Sequence, residues 1–355
     1  MEFRILNDLF DDVDVMDNML SAIWTDRYYN CGDFEFDSRV SPKVVQLMDP
    51  EKEFYLSFKE SNHIMVIEDV SINTDKEYGN TVTVTGRSLE SILDRRIIWN
   101  QTNINGNLQN AIKKLLLDNA INPIDTYRRI PNLIFKDSAD PKITNLTIPQ
   151  PGLAQYQGQD LYSVISALCE SYNIGFRIIL NSDKKLVFEL YSGNDKSFDQ
   201  DVNDYVIFSP KMDNLLNSNY YHSTSNYKNI ALVAGEGEGT SRKMVSVGTS
   251  AGLKRREIFV DAKDVSSNNS AINTTDYMKM LTQRGNEALV DRTVATLFEG
   301  GVEMSKQYKF NKDILMGDIV QLINEYGMEA KVRIIEVVNS QKGESIERFP
   351  TFKYL

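Results

Sequence analysis

The chain has 355 residues at 40.5 kDa, enough for two to four domains with a core each. Apolar residues make up 41% and charged residues 25%, a globular composition that argues against a disordered or fibrous chain. The net charge of −11 argues against a grip on nucleic-acid phosphates, and two cysteines with two histidines leave little for a disulfide framework, a zinc site or a Ser-His-Asp triad.

Residues 1–100 read mainly as β-structure. The N-terminal aspartates Asp8, Asp11, Asp12, Asp14 and Asp17 carry the wrong charge for a secretory n-region. They also lack the sixth-position Gly and twelfth-position Glu of a calcium loop, so a solvated acidic face is expected. Phe34-Glu35-Phe36 and residues 54–58 alternate, residues 64–70 are β-rich, and Thr81-Val82-Thr83-Val84-Thr85 alternates strictly up to Gly86. A short helix is expected over 87–96, with Leu89, Ile92 and Leu93 on one face.

From 101 to 205 the period changes to α+β. Helices are expected over 107–119 and 160–172, followed by Gly175 and by strands 176–180 and 186–191 about a polar turn. The proline-bearing stretch 123–151 reads as a long loop, an interaction surface or a lid. β-structure returns at 205–208 and 229–234. Residues 241–299 read as an insertion. It holds a strand at 256–260, a Ser/Asn-rich loop at 266–270, and a helix from an N-cap at Thr274 or Thr275 toward Phe298, stopped by Gly300-Gly301. Strands are expected again at 304–310, 319–323, 331–338 and 349–355. No apolar run approaches the length of a membrane span.

Residues 64–70, a polar connector and Val82/Val84 resemble residues 332–338, a polar connector and Phe349/Phe352. Two hairpins sharing a pattern by chance would give this echo, and so would two copies of one β-barrel module.

Little in the chain points to chemistry. Gly235-Glu236-Gly237-Glu238-Gly239 has glutamates where a dinucleotide loop would meet pyrophosphate, and a strand follows it, so it reads as a hairpin tip. Among 50 acidic residues some pair always looks suited to glycoside hydrolysis, yet no nucleophile or base stands out. Cys169 lies on a helical apolar face and Cys31 beside a glycine, while His63 and His222 have no ligand-spaced partners. No catalytic, metal or cofactor site is expected. The basic pairs Arg95-Arg96 and Arg255-Arg256 suit carboxylates bidentately and would clamp domains or subunits; otherwise they are exposed pairs of small energetic weight.

Four stretches, in this order along the chain, resemble the phage tail hub or tail-associated protein family of siphophage Gp37-like type. They run from Thr85-Gly86-Arg87-Ser88-Leu89 to Ile98, from Asn226-Tyr227-Lys228 to Gly237, from Lys254-Arg255-Arg256-Glu257 to Ala262, and over Gly317-Asp318-Ile319-Val320. The resemblance implies a mainly β fold with α+β insertions, built as a hub of two tube-like β-barrel domains and two smaller peripheral domains. It would divide as a first barrel at 1–100, a peripheral domain at 101–205, a second barrel at 206–240 and 300–355, and an inserted peripheral domain at 241–299.

The implied function is structural: a homotrimeric baseplate or tail-tip ring in the virion, adapting a six-fold tail tube to a three-fold tip and lining the DNA channel. Its implied neighbours are a distal tail or tail tube protein, a tape measure protein, and a receptor-binding or spike protein, with no specific nucleic-acid binding and no membrane insertion. Longer members carry a fibre or peptidoglycan-degrading domain; here such an activity would sit on another polypeptide. A cell-wall hydrolase and a host-receptor binding module are the competing readings. The acidic balance fits a channel wall that repels DNA and fits plain solubility equally.

Overall fold

Alternating residues from both ends of the chain pair into one 13-stranded sheet. The computed structural model describes residues 1–76, 79–148, 154–302, 307–327, 329–343 and 345–355. The sheet runs in the order Leu215–Ser223, Ala295–Val302, Ser345–Tyr354, Glu329–Lys342, Met19–Arg27, Asp33–Arg39, Gly79–Ser88, Ile64–Asp75, Tyr55–Phe58, Phe3–Leu6 and Asp12–Met16. Ile319–Ile323 also pairs with Glu329–Lys342, and Ile207–Phe208 pairs with Ile319–Ile323. The chain is mainly β, as expected.

Side chains alternate across each strand, so one face of the N-terminal half presents Phe3, Trp24, Phe34, Phe36, Leu56, Met65, Val82 and Val84. All meet in a single cluster, with Phe3 and Trp24 ring centroids 5.3 Å apart. Strands at opposite ends of a row share a core when the sheet curls on itself. Full burial of each such side chain contributes about 1.5–3 kcal/mol. The C-terminal half collects Tyr28, Phe208, Val320, Leu322, Ile334, Val337 and Phe352 in a second cluster.

A third cluster joins residues 89–190 to the back of the first half at Tyr55, Ile64 and Val66. It forms around two helices. Leu108–Leu116 is capped by Asn107, whose Oδ1 accepts from the Asn110 N–H at 3.0 Å, and it continues as one π-helical turn, Leu117–Ile121. Leu161–Ser171 is capped by Asp160 through the Ser163 N–H at 2.6 Å, and Cys169 lies fully buried in its apolar face. Strands Leu133–Lys136, Leu186–Tyr191 and Gly175–Leu180 complete this layer.

The fourth cluster packs helix Thr274–Val290 on a small sheet, where Ile230–Ala234 lies between antiparallel Met244–Val247 and parallel Glu257–Asp261. Gly285 permits that approach, because a Cβ there would fall 2.7 Å from Val247 and 2.8 Å from Val233.

Several expectations are corrected. The long helix is capped by Asn273, not by a threonine, and ends at Val290; residues Ala295–Val302 form a strand, since β-branched and aromatic residues after Asp291 favour the sheet. The 87–96 segment is strand to Ser88 and then a 3-10 helix, Leu89–Arg95. The stretch expected as loop contains a 3-10 turn Thr126–Arg128, strand Leu133–Lys136, helix Pro141–Thr144 and strand Thr147–Ile148; its final residues, 149–151, lie outside the described residues. Part of the strand expected at 304–310, residues 304–306, also lies outside them, and Phe310 forms an isolated bridge with Ile314.

Candidate assembly interface

Both echo hairpins carry a β-bulge. Ile64–Asp75 slips register against Gly79–Ser88 between Ile67 and Asp69, and Glu329–Lys342 slips against Ser345–Tyr354 between Ile334 and Glu336. The extra residues are Glu68 and Ile335. A bulge twists its strand sharply, so one strand serves two sheet segments.

Before the bulge each strand pairs with a short strand, Tyr55–Phe58 in one half and Ile319–Ile323 in the other. Beyond it the halves differ. Residues 336–342 pair with residues 21–27, joining the two halves, whereas residues 69–74 have no second strand neighbour among the described residues. Leu215–Ser223 ends the sheet, pairing only with Ala295–Val302 among the described strands.

An arginine bridges two carboxylates at each bulge. Arg87 donates to both Glu68 oxygens at 2.8 Å and to Asp94 at 2.9 Å. Arg27 binds Glu336 and Asp33, each at 2.6 Å, and so ties the junction strand to its neighbours. Bidentate and bridged arginine–carboxylate contacts fix geometry more firmly than single surface pairs.

The motif Gly317-Asp318-Ile319-Val320 forms a second junction. Gly317 has φ +87° and lies against the Tyr28 ring, where a Cβ would fall 2.2 Å from Cε2. Asp318 is fully buried, accepts from the Asn194 N–H at 2.7 Å and pairs with Lys196 at 2.9 Å. Arg333 donates to the Gly317 carbonyl at 2.9 Å and lies 5.5 Å from the centre of the Tyr28 ring. The motif therefore locks the α+β layer to the C-terminal half.

Beside it lies a buried charge cluster. The Glu90 carboxylate, fully buried, accepts from the Ile178 N–H at 2.7 Å and from the Ser88 hydroxyl, with His63 Nδ1 at 3.2 Å. Burial alone would lower the His63 pKa, but Glu90 overrides it and holds the imidazole up at about 9. Burial raises and His63 lowers the Glu90 pKa, with a net lowering. Asp26 accepts from Trp24 Nε1 at 3.1 Å and Ser61 Oγ at 2.8 Å, and burial pushes its carboxyl up. Both oxygens of Glu90 meet protein donors, an arrangement that holds elements together. The 250 Å³ cavity beside His63 and Asp26 is walled by all three surrounding layers, through Arg177, Tyr191 and Phe310 among others.

The four arginines singled out in the sequence lie apart from the bulges. Arg96 donates to the Arg128 carbonyl at 2.6 Å, across the α+β layer, while Arg95 reaches Glu53 at 3.6 Å and stays half exposed. Arg256 donates to the Thr224 carbonyl, linking the inserted unit to the chain beyond Leu215–Ser223, and Arg255 pairs with Glu257. Arg27, Arg87 and Glu90 were not legible as site residues; Arg87 and Glu90 lie inside the family-like stretch 85–98, but nothing local marks their partners.

The N-terminal aspartates meet cations: Asp14 with Lys43 at 2.6 Å, Asp12 with Arg4 at 3.2 Å, and Asp11 with Lys184. No cluster suited to a metal ion occurs among the described residues, and no helix there is long and apolar enough to cross a membrane. The glycine-rich segment joins Ile230–Ala234 to Met244–Val247, and Glu236 accepts from the Ser267 N–H at 2.7 Å.

The family model described as Siphovirus ReqiPepy6 Gp37-like protein matches residues 2–352. No curated protein matches the chain. Among solved structures, the chain is similar to the tail protein from Neisseria meningitidis MC58, with TM-score 0.58 and 12% identity over 99% of this chain and 95% of that one. It is similar to the 43 kDa tail protein of prophage MuSo2 from Shewanella oneidensis, with TM-score 0.57 and 12% identity over 100% and 98%. Prophage tail protein gp18 from Listeria monocytogenes EGD-e aligns with TM-score 0.53 and 12% identity over 99% and 94%. At that identity the likeness is one of fold.

Proposed function

The chain belongs to the Gp37-like siphovirus tail protein family, and from that premise we propose that three copies close into a ring-shaped tail-tip hub with two equivalent β-barrel modules per copy. One observation carries this: the junction inside the chain has a counterpart at residues 69–74, which have no second strand neighbour among the described residues. In the first module Trp24 pairs with Phe34, which pairs with Gly86; in the second Tyr220 pairs with Phe298, which pairs with Phe352. The same registers match Asp69 to Glu336 and Ile72 to Asn339. Since Asn339 faces Trp24 within the chain, Ile72 of one copy faces Tyr220 of the next.

Ile72 and Tyr220 are 48% and 46% exposed, and pairing would cover both. A long edge strand is a liability that ring closure removes, and a rotation that closes prevents filament growth. Three copies then present six similar modules, which suits a six-fold tube above and a three-fold tip below.

The sheet face opposite the first core carries Ser21, Thr81, Thr83 and Thr85 with Glu35, Asp37 and Asp69, beside Ile23, Arg39 and Arg87, while Thr25 on that face is buried. Turned toward the lumen, hydroxyls and carboxylates would let duplex DNA slide without binding its phosphates. In this reading the barrels span 1–100 and 206–228 with 295–355. The peripheral units span 101–205 and 229–291, the latter enlarged because Ile230–Ala234 shares its core with the long helix. Arg96 and Arg256 act as clamps between units of one copy, and Arg95 and Arg255 face outward for neighbours. The role is structural, within the virion, with a distal tail or tube protein, a tape measure protein and a receptor-binding or spike protein as neighbours.

Native mass measurement and electron microscopy of the purified chain test the proposal. A mass three times 40.5 kDa with a three-fold ring open at its centre is expected. A monomer at all concentrations, or a ring of another order, overturns it.

A further inference from the structure

A groove on the α+β layer has the chemistry of a saccharide site. Its platform is Trp99, 60% exposed although the Arg128 guanidinium lies 5.0 Å from its ring centroid. A ring covered on one face and still that exposed has its other face open. An indole in water is costly to leave uncovered, and a flat open indole suits the apolar C–H face of a pyranose.

The backbone beneath the platform is tied down. The Trp99 backbone N–H donates to Asn119 Oδ1 at 3.1 Å, and Asn119, itself 2% exposed, donates to the Leu115 carbonyl at 2.9 Å. Arg128 donates to the Ile97 carbonyl at 2.7 Å, and its own carbonyl accepts from Arg96. A backbone and a guanidinium fixed before a ligand arrives reduce the entropy lost on binding.

The opposite wall is the π-helical turn Leu117–Ile121, closed by the Asn122 N–H donating to the Leu117 carbonyl at 2.9 Å. A π-turn costs stability relative to continued α-helix and recurs at functional sites. Here it follows the straight helix Leu108–Leu116 and carries Asp118, Asn119 and Asn122 to the groove wall. The groove encloses about 340 Å³, at the small end of ligand pockets.

Its polar lining holds the amides of Asn100, Gln101 and Asn122 and the Thr102 hydroxyl; the hydroxyl donates to the Asn100 carbonyl and the Gln101 amide to Asn268, each at 3.0 Å. The charges balance, Lys114 and Arg128 against Asp118 and Asp125, with Lys114 and Asp118 already paired. That balance disfavours an anion such as phosphate and suits a neutral, hydroxyl-rich ligand with an apolar face.

We propose that the groove formed by Trp99, Arg128 and the π-turn binds neutral oligosaccharide, with one pyranose ring stacked on the indole and its hydroxyls bonded to the surrounding amides. This goes beyond the hub reading and does not depend on ring closure.

The chain has two tryptophans, and Trp24 is fully buried, so Trp99 dominates any ligand-induced change in fluorescence. The full chain would be titrated with tetramers of N-acetylglucosamine, glucose and galactose. At least one is expected to give a saturable shift below about 10 mM. By calorimetry, Trp99→Ala should weaken that binding at least tenfold, Trp99→Tyr should restore part of it, and Asn122→Ala should weaken it several-fold, all with unchanged melting temperature. Absence of saturation with all three tetramers overturns the proposal. Binding that survives Trp99→Ala overturns it as well. Loss of a co-purifying tail protein in Trp99→Ala without any sugar response would assign the platform to a protein partner instead and equally overturn it.

Discussion

The two bulged hairpins differ in what lies beyond the bulge, and that difference carries the account. Residues 336–342 are sandwiched between Ser345–Tyr354 and Met19–Arg27, while the matching residues 69–74 have a strand on one side among the described residues. Under the proposed ring, matching hairpins with unlike edges are what one copy of a closed assembly would show. The covered edge holds one chain together; in the proposed ring the edge left open among the described residues would be covered by another copy.

Proline breaks the comparison most directly, because it removes a ladder donor. Val338→Pro, in the covered strand, should cost about 3 kcal/mol or more and lower the melting temperature of the isolated chain. Ile72→Pro, on the open strand, should leave the monomer far less affected while abolishing the oligomer by native mass. Equal effects at both positions would remove the distinction between the edges.

The buried pair next to the junction gives an effect of similar size. His63→Ala strands the Glu90 carboxylate in the core and should cost about 3–5 kcal/mol in denaturant unfolding. The His63 pKa is about 9 in the fold against an ordinary 6.5, so its stabilisation is complete below about 6.5 and fades as pH rises through about 9. Glu90 is lowered, so its contribution is present above 4.5 and lost as pH falls through its folded value. Wild-type stability should therefore decline on both sides, and the alkaline decline should disappear in His63→Ala.

The two arginine clusters sharpen the comparison on a smaller scale. Arg27→Ala, which loosens the join between halves, should destabilise the chain by about 1–2 kcal/mol, and Arg87→Ala, within one half and more exposed, by under about 1 kcal/mol. The smallest effect is expected at Arg95→Ala, whose 3.6 Å pair with Glu53 is exposed on both sides and should be worth well under about 1 kcal/mol in thermal unfolding.

The echo between residues 64–70 and 332–338 was legible because hairpin cores keep strict apolar spacing on both sides of a turn. The bulges were not, since a register slip in a strand leaves no mark until its partner is known. Met19–Arg27 escaped notice because its own slip between Met19 and Ser21 breaks the period-2 pattern. Asp12–Met16 alternates, yet Val13 and Val15 are about half exposed, so its pattern does not sort inside from outside. Leu215–Ser223 is polar and terminal in the sheet, and its apolar signal is weak for that reason. The helix caps at Asn107 and Asp160 were readable from side-chain chemistry, whereas the end of the long helix at Val290 depended on the distant strand Ser345–Tyr354, which pairs with the residues after it. Of the interface, the arginine pairs were visible as charge, but Arg27 with Glu336 lies 309 residues apart in the chain, a distance no local pattern spans.

Disulfide trapping between copies is the sharpest probe of that open edge. Cys31 and Cys169 are both buried, so a chain carrying Ile72→Cys and Tyr220→Cys starts from a low background. Directly opposed strand residues are close enough to bridge. Mild oxidation should give a non-reducing gel ladder that stops at three chains, with neither single variant forming it. A chain that stays monomeric on oxidation, or a ladder that continues past three, would contradict the account.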